Sequence, residues 1–280
     1  MVAGETTATK PCMTPDFRRI ARTLLPPRVV HAYRMLRHTV LTPFERELTL
    51  VPRFISPESV AVDVGANVGL YTAVMARHAG RVLAFEPHPG CAAHLRAVRI
   101  ARCEVIEAAV SDRDGEARLR VPYEGGAEVH ALGTLAEQNT LAERNGVRSL
   151  TVATARLDSA LAARLRPGET VGFVKIDVEG HERAVVEGAA ATIERHQPVL
   201  LIEIEIRHGS DIEGLFARLA AWGYRAHALV GEAPLAPIDA GALRFLQSAE
   251  PLTHDRVRAK GSRYVNNVLF LPEAAGVGGR

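Results

Sequence analysis

Short apolar runs alternate along this chain with longer stretches whose apolar residues recur every three or four positions. The longer stretches are predicted to be helices, and they lie at 68–79, 89–101, 181–196 and 212–222. The short runs are rich in Val, Ile, Leu and Ala, a composition typical of strands buried on both faces of a parallel sheet. These runs lie at 59–64, 81–85, 103–110, 171–176 and 199–206. The alternation predicts an α/β fold, with crossover helices on both faces of a doubly wound sheet.

Two segments interrupt the alternation. The first, 112–157, contains a hairpin turn signal at Asp114-Gly115 and a polar stretch with further glycines. The second closes the fold, where the runs at 224–230 and 264–271 are expected to pair as an antiparallel edge. Segment 231–262 between them has no clear helical or strand period and is expected to be a long loop. The two edge strands bring the predicted, mostly parallel sheet to seven strands.

Composition narrows the class of protein. The 280 residues are 47% apolar and 24% charged, as in ordinary folded domains, which excludes global disorder. No window of 18 consecutive apolar residues occurs, so a membrane-spanning helix is not expected. The three cysteines form no CxxC pair and are expected to be reduced, which favours a cytoplasmic protein. A net charge of +2 is too small to indicate a nucleic-acid partner.

The positive charge is concentrated at the N-terminus. Residues 1–46 carry eight Lys or Arg against three acidic residues, a charge of +5 that leaves −3 for the rest. We expect residues 1–50 to form a helical lead-in that packs on a single domain at 51–280. Because basic and apolar residues are interleaved in the lead-in, peripheral contact with an anionic membrane surface is the alternative.

The most informative segment is the turn that follows the run at 59–64. Its sequence, DVGANVG from Asp63 to Gly69, takes a strand through a glycine turn into a helix. In doubly wound sheets such a turn forms a ligand site at the carboxyl end of the strand. A dinucleotide site would need G-x-G-x-x-G, and Asn67 replaces its second glycine. Asp63 would also repel a pyrophosphate, so the turn favours a positively charged ligand.

S-adenosylmethionine has that character, because it carries an ammonium group and a sulfonium but no phosphate. Glu86 ends the next predicted strand, 21 positions after Gly65. From that place a carboxylate can accept hydrogen bonds from both ribose hydroxyls of a bound nucleoside. The glycine turn and Glu86 together predict a site for S-adenosylmethionine.

With these residues the chain resembles the FkbM-type methyltransferases, a family of class I methyltransferases with a Rossmann-like fold. The resemblance covers about residues 51–230 and the last strand, and the combination of DVGAN with KIDVEG is specific. The matching segments are DVGANVGLYT (63–72), FEP (85–87), AAVSDRDG (108–115), RLDSAL (156–161), VKIDVEGHE (174–182), EGA (187–189), PVLLIEIE (198–205), GY (223–224) and NNVLF (266–270).

The resemblance implies transfer of a methyl group from S-adenosylmethionine, usually to a hydroxyl of a sugar, glycolipid or natural product. It also implies a set of cofactor-binding residues: Asp63, Gly65, Ala66, Asn67, Gly69, Tyr71, Thr72, Glu86, Pro87, Ala109 and Val110. The chain departs from the family at 96–103, which lacks an asparagine often found there, and residues 1–46 and 231–262 match nothing in it. The acceptor, a small molecule or glycan, is therefore expected to be recognised outside the matching segments, above all by 231–262. The alternatives are that the N-terminal lead-in or the insertion at 122–150 builds the acceptor pocket.

Catalytic candidates lie at the carboxyl ends of the fourth and fifth predicted strands. Asp177 ends the fourth strand, His181 follows in the next turn, and Glu203 lies near the end of the fifth. An acceptor hydroxyl is a poor nucleophile until a base removes its proton. Either His181 or a carboxylate acts alone as that base, or Asp177 and Glu203 bind a divalent cation such as Mg²⁺. The metal-free mechanism is favoured because few carboxylates converge, and no His/Cys cluster with zinc spacing is expected to compete.

Structural roles compete for the same residues. Acidic residues in the apolar run 199–206 are costly to bury without a partner, and Lys175 is an available cation. Glu179 and Glu182 are also favoured at a helix start by the helix dipole.

Two other functions are compatible with such a sheet. A nicotinamide-dependent oxidoreductase is disfavoured by the missing G-x-G-x-x-G and by Asp63. A non-catalytic interaction module with an S-adenosylmethionine fold is disfavoured by the intact glycine turn, Glu86 and Asp177. The sequence therefore favours an S-adenosylmethionine-dependent O-methyltransferase.

Overall fold

The computed structural model describes residues 25–36, 46–124, 127–139, 146–249 and 262–273. These residues form strands β1 (Val60–Val64), β2 (Arg81–Phe85), β3 (Cys103–Ile106), β4 (Ala109–Val110), β5 (Gly115–Glu124), β6 (Ala127–Glu128), β7 (Val147–Ala155), β8 (Val171–Ile176), β9 (Val199–Glu203), β10 (Tyr224–Ala228), β11 (Ala236–Pro237) and β12 (Asn267–Pro272). The helices are α1 (Pro27–Leu36), α2 (Leu70–His78), α3 (Pro89–Val98), α4 (Leu157–Ala162), α5 (Glu182–Gly188), α6 (Ala190–His196), α7 (Ile212–Ala221) and α8 (Ala240–Ala249).

The main sheet has the strand order β11-β10-β12-β9-β8-β1-β2-β3. The five strands from β9 to β3 pair in parallel, whereas β12 runs antiparallel between β9 and β10. The predicted α/β fold with a mostly parallel sheet and an antiparallel edge is therefore confirmed. The sheet has eight strands rather than seven because two further residues, Ala236 and Pro237, pair with β10 at its edge.

The central strands are buried on both faces, as their continuous apolar composition predicts. In β1, Val60, Val62 and Val64 point to one face and join a core that includes residues of α4 to α8. Ala61 points to the other face and packs among residues of α2. Because side chains alternate along a strand, Asp63 lies on the same face as Ala61. This alternation determines where the charged residues near the strand ends point.

A second sheet forms within segment 107–157 and contains four strands in the order β4-β7-β5-β6. The long strands β5 and β7 pair antiparallel, starting at Gly115, where the sequence signals a turn. The prediction of one strand over 103–110 is wrong, because this run divides between the two sheets. The amide of Ala108 donates to the carbonyl oxygen of Ile106, at 3.0 Å, and this turn takes the chain off the main sheet.

Two helix expectations also need correction. Segment 231–262 is not a featureless loop, because α8 lies within it and buries Leu243, Leu246 and Gln247. Leu243 and Leu246, three positions apart, form a short apolar face, and the Gln247 amide beside them is buried because it hydrogen-bonds to the backbone of Ile204 and Val265. The helix predicted over 181–196 is divided in two at Ala189.

The helical lead-in is described only in part. Helix α1 contacts α3, and Nε of Arg28 donates to the carbonyl oxygen of Val98 at 3.1 Å. Residues 1–24 and 37–45, which carry most of the basic charge of the lead-in, lie outside the described residues. Residues 250–261 of the predicted acceptor loop also lie outside them. Among the helices that the structure describes, none is long and apolar enough to cross a membrane.

Gly188 provides a test of the packing between α5 and the start of the second sheet. A Cβ atom at this position would lie 1.9 Å from the carbonyl oxygen of Ser111. We expect Gly188→Ala to lower the free energy of unfolding by about 1–3 kcal/mol, because the helix and the loop must move apart. Urea denaturation measures this change.

Gly241 in α8 is the matched control, because a Cβ there meets nothing closer than 3.4 Å. Gly241→Ala is expected to leave stability unchanged or raise it by about 0.5–1 kcal/mol, the usual gain for alanine in a helix. Equal stabilities of the two variants would contradict the close contact at Gly188.

Candidate active site

A cleft lies at the carboxyl ends of β1, β2 and β8. It encloses about 610 Å³, part of which is open to solvent. The main sheet contributes residues of three turns, those after β1, β2 and β8. The second sheet contributes the opposite wall, which includes Leu119, His130, Ala131, Gly133 and Leu135. The cleft thus lies between the two sheets, at the edge where doubly wound folds bind ligands.

The glycine turn is packed against the neighbouring strand end. Gly65 has a φ of +82°, and a Cβ there would lie 1.9 Å from the carbonyl oxygen of Asp177. The amides of Gly65 and Ala66 both donate to the carbonyl oxygen of Phe85, each at 3.0 Å. Only glycine permits this close approach of the β1 and β8 ends.

Glu86 is buried at the end of β2, and its carboxylate is fixed by two backbone amides. Asn67 N donates to one carboxylate oxygen at 2.7 Å, and His88 N donates to the other at 2.8 Å. Burial raises the pKa of Glu86 to about 7, although the two amide hydrogen bonds act in the opposite direction. Each oxygen retains a second lone-pair site, so Glu86 can still accept hydrogen bonds from a ligand in the cleft.

Asp63 has a different environment from the one that the sequence suggests. Its side chain is only 2% exposed, does not line the cleft, and accepts a hydrogen bond of 2.5 Å from Oγ1 of Thr72. Burial raises its pKa to about 6, whereas Thr72 and Lys175 lower it. Asp63 therefore lies beneath the glycine turn, and its contact with the cofactor stays a prediction.

Lys175 lies at the centre of a buried group of charged side chains. It pairs in register with Asp63 on the adjacent strand. Its Nζ lies 3.8 Å from a carboxylate oxygen of Asp177 and 4.0 Å from one of Glu203, and 5.0 Å from the centre of the Tyr71 ring. The salt bridge that the sequence offered as the structural role of Glu203 is present. Lys175 is buried and offsets the negative charge of Asp177 and Glu203, whose side chains are 33% and 17% exposed.

Asp177 and His181 both line the cleft. Nε2 of His181 lies 2.9 Å from Oγ of Ser111, and that hydroxyl donates to Oδ1 of Asp112 at 3.1 Å. We assign the arrangement in which the hydroxyl proton is directed at Asp112, Nε2 of His181 donates to the serine oxygen, and Nδ1 keeps a lone pair. Burial lowers the pKa of His181, while Asp112 acts in the opposite direction. His181 is therefore a neutral imidazole that can accept a proton.

Glu203 lies behind the cleft rather than in its lining. Its carboxylate accepts a hydrogen bond of 2.8 Å from Nδ2 of Asn266, part of the NNVLF segment. Burial and the nearby Asp177 raise the pKa of Glu203 well above its ordinary value, although Lys175 opposes them. A carboxyl in this environment is suited to positioning Asp177 and Lys175 rather than to contacting an acceptor.

The turn after β8 is held by structural contacts of two other acidic residues. Glu179 has a φ of +53°, and its carbonyl oxygen accepts hydrogen bonds from Thr134 and Asn139, both at 2.8 Å. Glu182 accepts from the amide of Gly180 at 2.7 Å and from Oγ of Ser210 at 2.8 Å. These contacts fix the turn that carries Asp177 and His181, and they connect it to the second sheet.

The predicted site residues therefore fall into two groups. Those that line the cleft are Gly65, Asn67, Glu86, Pro87, Ala109, Val110, Asp177 and His181. Those that support it from behind are Asp63, Ala66, Gly69, Tyr71, Thr72 and Glu203. Residues 231–249 of the predicted acceptor loop are absent from the lining, because α8 packs against α7 and the core. The opposite wall belongs to the second sheet, and most of its residues lie in the 122–150 insertion, which the sequence offered as an alternative.

One cluster in this wall contradicts an expectation. The side chains of His88, Cys91 and His130 offer potential metal-ligand atoms that all lie within 4.8 Å of one another. The sequence shows only His88 and Cys91 at ligand-like spacing directly after the FEP segment, and His130 is distant in the chain. The expectation that no His/Cys cluster with zinc spacing competes rested on spacing along the chain, and it did not anticipate this group because folding brings β6 and its following turn onto the start of α3.

Comparison with known proteins identifies the family. Residues 63–226, more than half of the chain, match the model of the methyltransferase FkbM domain. No curated protein sequence matches the chain.

Solved structures with similar folds include the methyltransferase FkbM from Methylobacillus flagellatus KT, at 18% identity and a TM-score of 0.47. That alignment covers 91% of this chain and 58% of the other, so this chain spans little more than half the length of that protein. The O-methyltransferase from Bacillus cereus in complex with SAH has 14% identity and a TM-score of 0.43, with coverage of 91% of this chain and 95% of the other.

The buried carboxyl of Glu86 predicts a pH dependence of stability. Its pKa is raised from 4.5 to about 7 in the folded protein, so the native state binds more protons between these values. Its stabilising contribution is present below about pH 4.5 and is lost as the pH rises through 7. We expect Glu86→Gln to reduce the fall in unfolding free energy over this range by up to about 3 kcal/mol.

The measurement is urea denaturation of both proteins between pH 4.5 and 8. Glu58→Gln, at an exposed carboxyl, is the matched control and should leave the pH dependence unchanged. Parallel pH profiles of wild type and Glu86→Gln would contradict the buried, proton-binding carboxyl.

Proposed function

The chain belongs to the FkbM methyltransferase family, and we propose that it transfers a methyl group from S-adenosylmethionine to an acceptor hydroxyl. The observation that carries this proposal is the arrangement of one cleft. Glu86 lies at the end of β2, and Asp177 and His181 lie after β8 in the same cleft. A nucleoside-binding carboxylate and a proton acceptor thus lie around one space.

The residues after β1 and β2 fit the donor. The carboxylate of Glu86 is preorganised by the amides of Asn67 and His88, and it can accept hydrogen bonds from the ribose hydroxyls. Pro87, Ala109 and Val110 supply apolar surface beside it. The carboxylates of Glu86 and Asp177, which line the cleft, favour a donor with ammonium and sulfonium groups over one with phosphates. When bound, S-adenosylmethionine supplies a methyl group on a positively charged sulfur.

His181 is proposed as the general base. Methyl transfer to a hydroxyl forms a carbon–oxygen bond and breaks the carbon–sulfur bond, whose electron pair stays on sulfur. The hydroxyl proton passes to Nδ1 of His181, which is neutral because burial lowers its pKa. The hydrogen bond to Ser111 holds the ring in the tautomer that leaves Nδ1 free to accept this proton. Asp177 accepts a hydrogen bond from the acceptor and orients it.

The proposed reaction needs no divalent cation at Asp177 and Glu203. The ammonium group of Lys175 lies within 4.0 Å of both carboxylates and provides the positive charge that Mg²⁺ would otherwise supply. Only Asp177 of the pair lines the cleft. A cation bound by both would therefore have to displace Lys175 from its buried position.

The proposed acceptor is a sugar, glycolipid or natural product, recognised by the wall from the second sheet. The His130 side chain and the backbone groups of this wall suit a polyhydroxyl compound better than a nucleic acid, and no nucleic-acid partner is proposed. Peripheral membrane contact through the basic lead-in remains part of the proposal. It is supported by the exposed apolar side chains of Val29, Tyr33 and Leu36 on α1. A cytoplasmic location is proposed on the free thiols of Cys91 and Cys103.

Donor binding is tested by calorimetry with S-adenosylmethionine. We expect Glu86→Gln to weaken binding about 10- to 100-fold, because a hydrogen bond to a charged group contributes about 1.5–3 kcal/mol. Glu58→Gln should bind like wild type. Equal affinities of wild type and Glu86→Gln would contradict the assignment of this carboxylate, and tight binding of NAD instead would favour the oxidoreductase.

Proton removal is tested by the turnover of His181→Asn with a panel of glycan and natural-product acceptors. We expect kcat to fall about 100- to 10,000-fold, the usual contribution of a general base. The dissociation constant of S-adenosylmethionine should change less than about threefold, because the ring does not hold the donor. His196→Asn, at the end of α6, is the control and should retain kcat.

If His181→Asn keeps the kcat of wild type and Asp177→Asn has a lower kcat, Asp177 rather than His181 is the base. If both variants turn over normally, the catalytic assignment is wrong. If wild type binds the donor and transfers its methyl group to no hydroxyl compound, a non-catalytic module is favoured.

A further inference from the structure

The histidine and cysteine side chains in the outer wall of the cleft form a group that the proposed methyl transfer does not use. His88 is the N-cap residue of α3, and Cys91 lies in the first turn of the same helix. His130 follows β6 in the second sheet. His88 and Cys91 are buried, whereas the His130 side chain is 39% exposed and leaves the group accessible from one side.

Glu128 orients both imidazole rings. One of its carboxylate oxygens lies 3.3 Å from Nε2 of His88 and 3.6 Å from Nδ1 of His130. The other accepts a charge-assisted hydrogen bond of 2.6 Å from Arg148. A carboxylate that holds one nitrogen of a histidine leaves the opposite nitrogen with its lone pair.

The other nitrogen of His88 faces the start of the helix. Nδ1 accepts a hydrogen bond of 3.1 Å from the amide of Gly90, which shows that this nitrogen carries the lone pair. The Cys91 thiol points to Oδ1 of Asn67 at 3.7 Å. Both contacts are weak enough to be exchanged for a stronger partner, and the thiol loses its proton to solvent when it binds a metal.

From this geometry we propose that His88, Cys91 and His130 bind a Zn²⁺ ion, with Glu128 as the carboxylate that orients the two histidines. Two imidazole nitrogens and a thiolate are ligands that Zn²⁺ prefers, and they differ from the oxygen ligands that suit Mg²⁺. Three protein ligands leave a fourth position, and His88 and His130 both line the cleft. The fourth position therefore faces the space where the ligand binds.

The ion would connect the turn after β2 to the opposite wall of the cleft. His88 directly follows the Glu86–Pro87 strand end, and His130 belongs to the opposite wall. Zn²⁺ would thus fix the second sheet against the cofactor-binding turn. This inference does not depend on the proposed methyl transfer, since binding can be read without turnover.

The experiment is titration of the tag-free, full-length, reduced protein with Co²⁺, followed by displacement with Zn²⁺. We expect one Co²⁺ per chain, with a thiolate-to-cobalt charge-transfer band in the near ultraviolet that Zn²⁺ abolishes. Cys91→Ser should lose this band, whereas Cys103→Ser should retain it, because Cys103 lies outside the cluster. His130→Ala, at the accessible side of the group, should weaken Co²⁺ binding at least about tenfold.

Thermal unfolding provides a second measurement for variants with altered folding. Zn²⁺ should raise the Tm of wild type and of Cys103→Ser, and it should not raise the Tm of Cys91→Ser or His130→Ala. Absence of the charge-transfer band in wild type, its persistence in Cys91→Ser, or an equal Zn²⁺ effect on all four proteins would overturn the proposal. S-adenosylmethionine binding is measured on the same samples. A wild-type protein that binds S-adenosylmethionine but not Co²⁺ contradicts the zinc site alone, and one that binds Co²⁺ but not S-adenosylmethionine contradicts the methyltransferase proposal alone.

Discussion

The ligand-binding edge of the sheet depends on one buried ammonium group, that of Lys175. Side chains alternate along strands, so Asp63, Lys175 and Glu203 lie on the same face of three neighbouring strands and meet near their carboxyl ends. Burial of unpaired charges is costly, and removal of one partner leaves the others uncompensated. Asp63 and Glu203 lie beneath the sheet edge, near Lys175. Asp177 also lies near Lys175, but its side chain reaches the cleft.

The geometry of the cleft follows from that arrangement. The carbonyl oxygen of Asp177 lies so close to Gly65 that no side chain fits between the β1 and β8 ends. The glycine turn can then place the Asn67 amide on Glu86, a carboxyl that is stabilised by backbone amides. Two types of carboxylate result: those near Lys175, and Glu86, which lines the cleft and is held by backbone amides. His181, held by Ser111, completes the same cleft from the third strand end.

Much of this arrangement could be predicted from the sequence, because the signals are local. The apolar runs, the glycine turn and Glu86 after the second run define the sheet and one side of the cleft. The direction of Asp63 could not be predicted, because it depends on the register with Lys175 and on Thr72. The opposite wall could be predicted only as an alternative, the 122–150 insertion, and the position of His130 beside His88 could not be predicted, since it depends on the pairing of the second sheet. Helix α8 was not predicted because only two of its buried residues, Leu243 and Leu246, are apolar and the third is Gln247.

We propose that S-adenosylmethionine and the general base His181 share one cleft. The nucleoside would lie at Glu86, and the reacting methyl group beside Asp177 and His181. The most direct measurement is a crystal structure of the protein with bound S-adenosylhomocysteine. We expect both ribose hydroxyls to lie within hydrogen-bond distance of the Glu86 carboxylate, and the sulfur atom to face the open space beside His181. A ribose bound away from Glu86, or a sulfur directed away from the turn after β8, would contradict it.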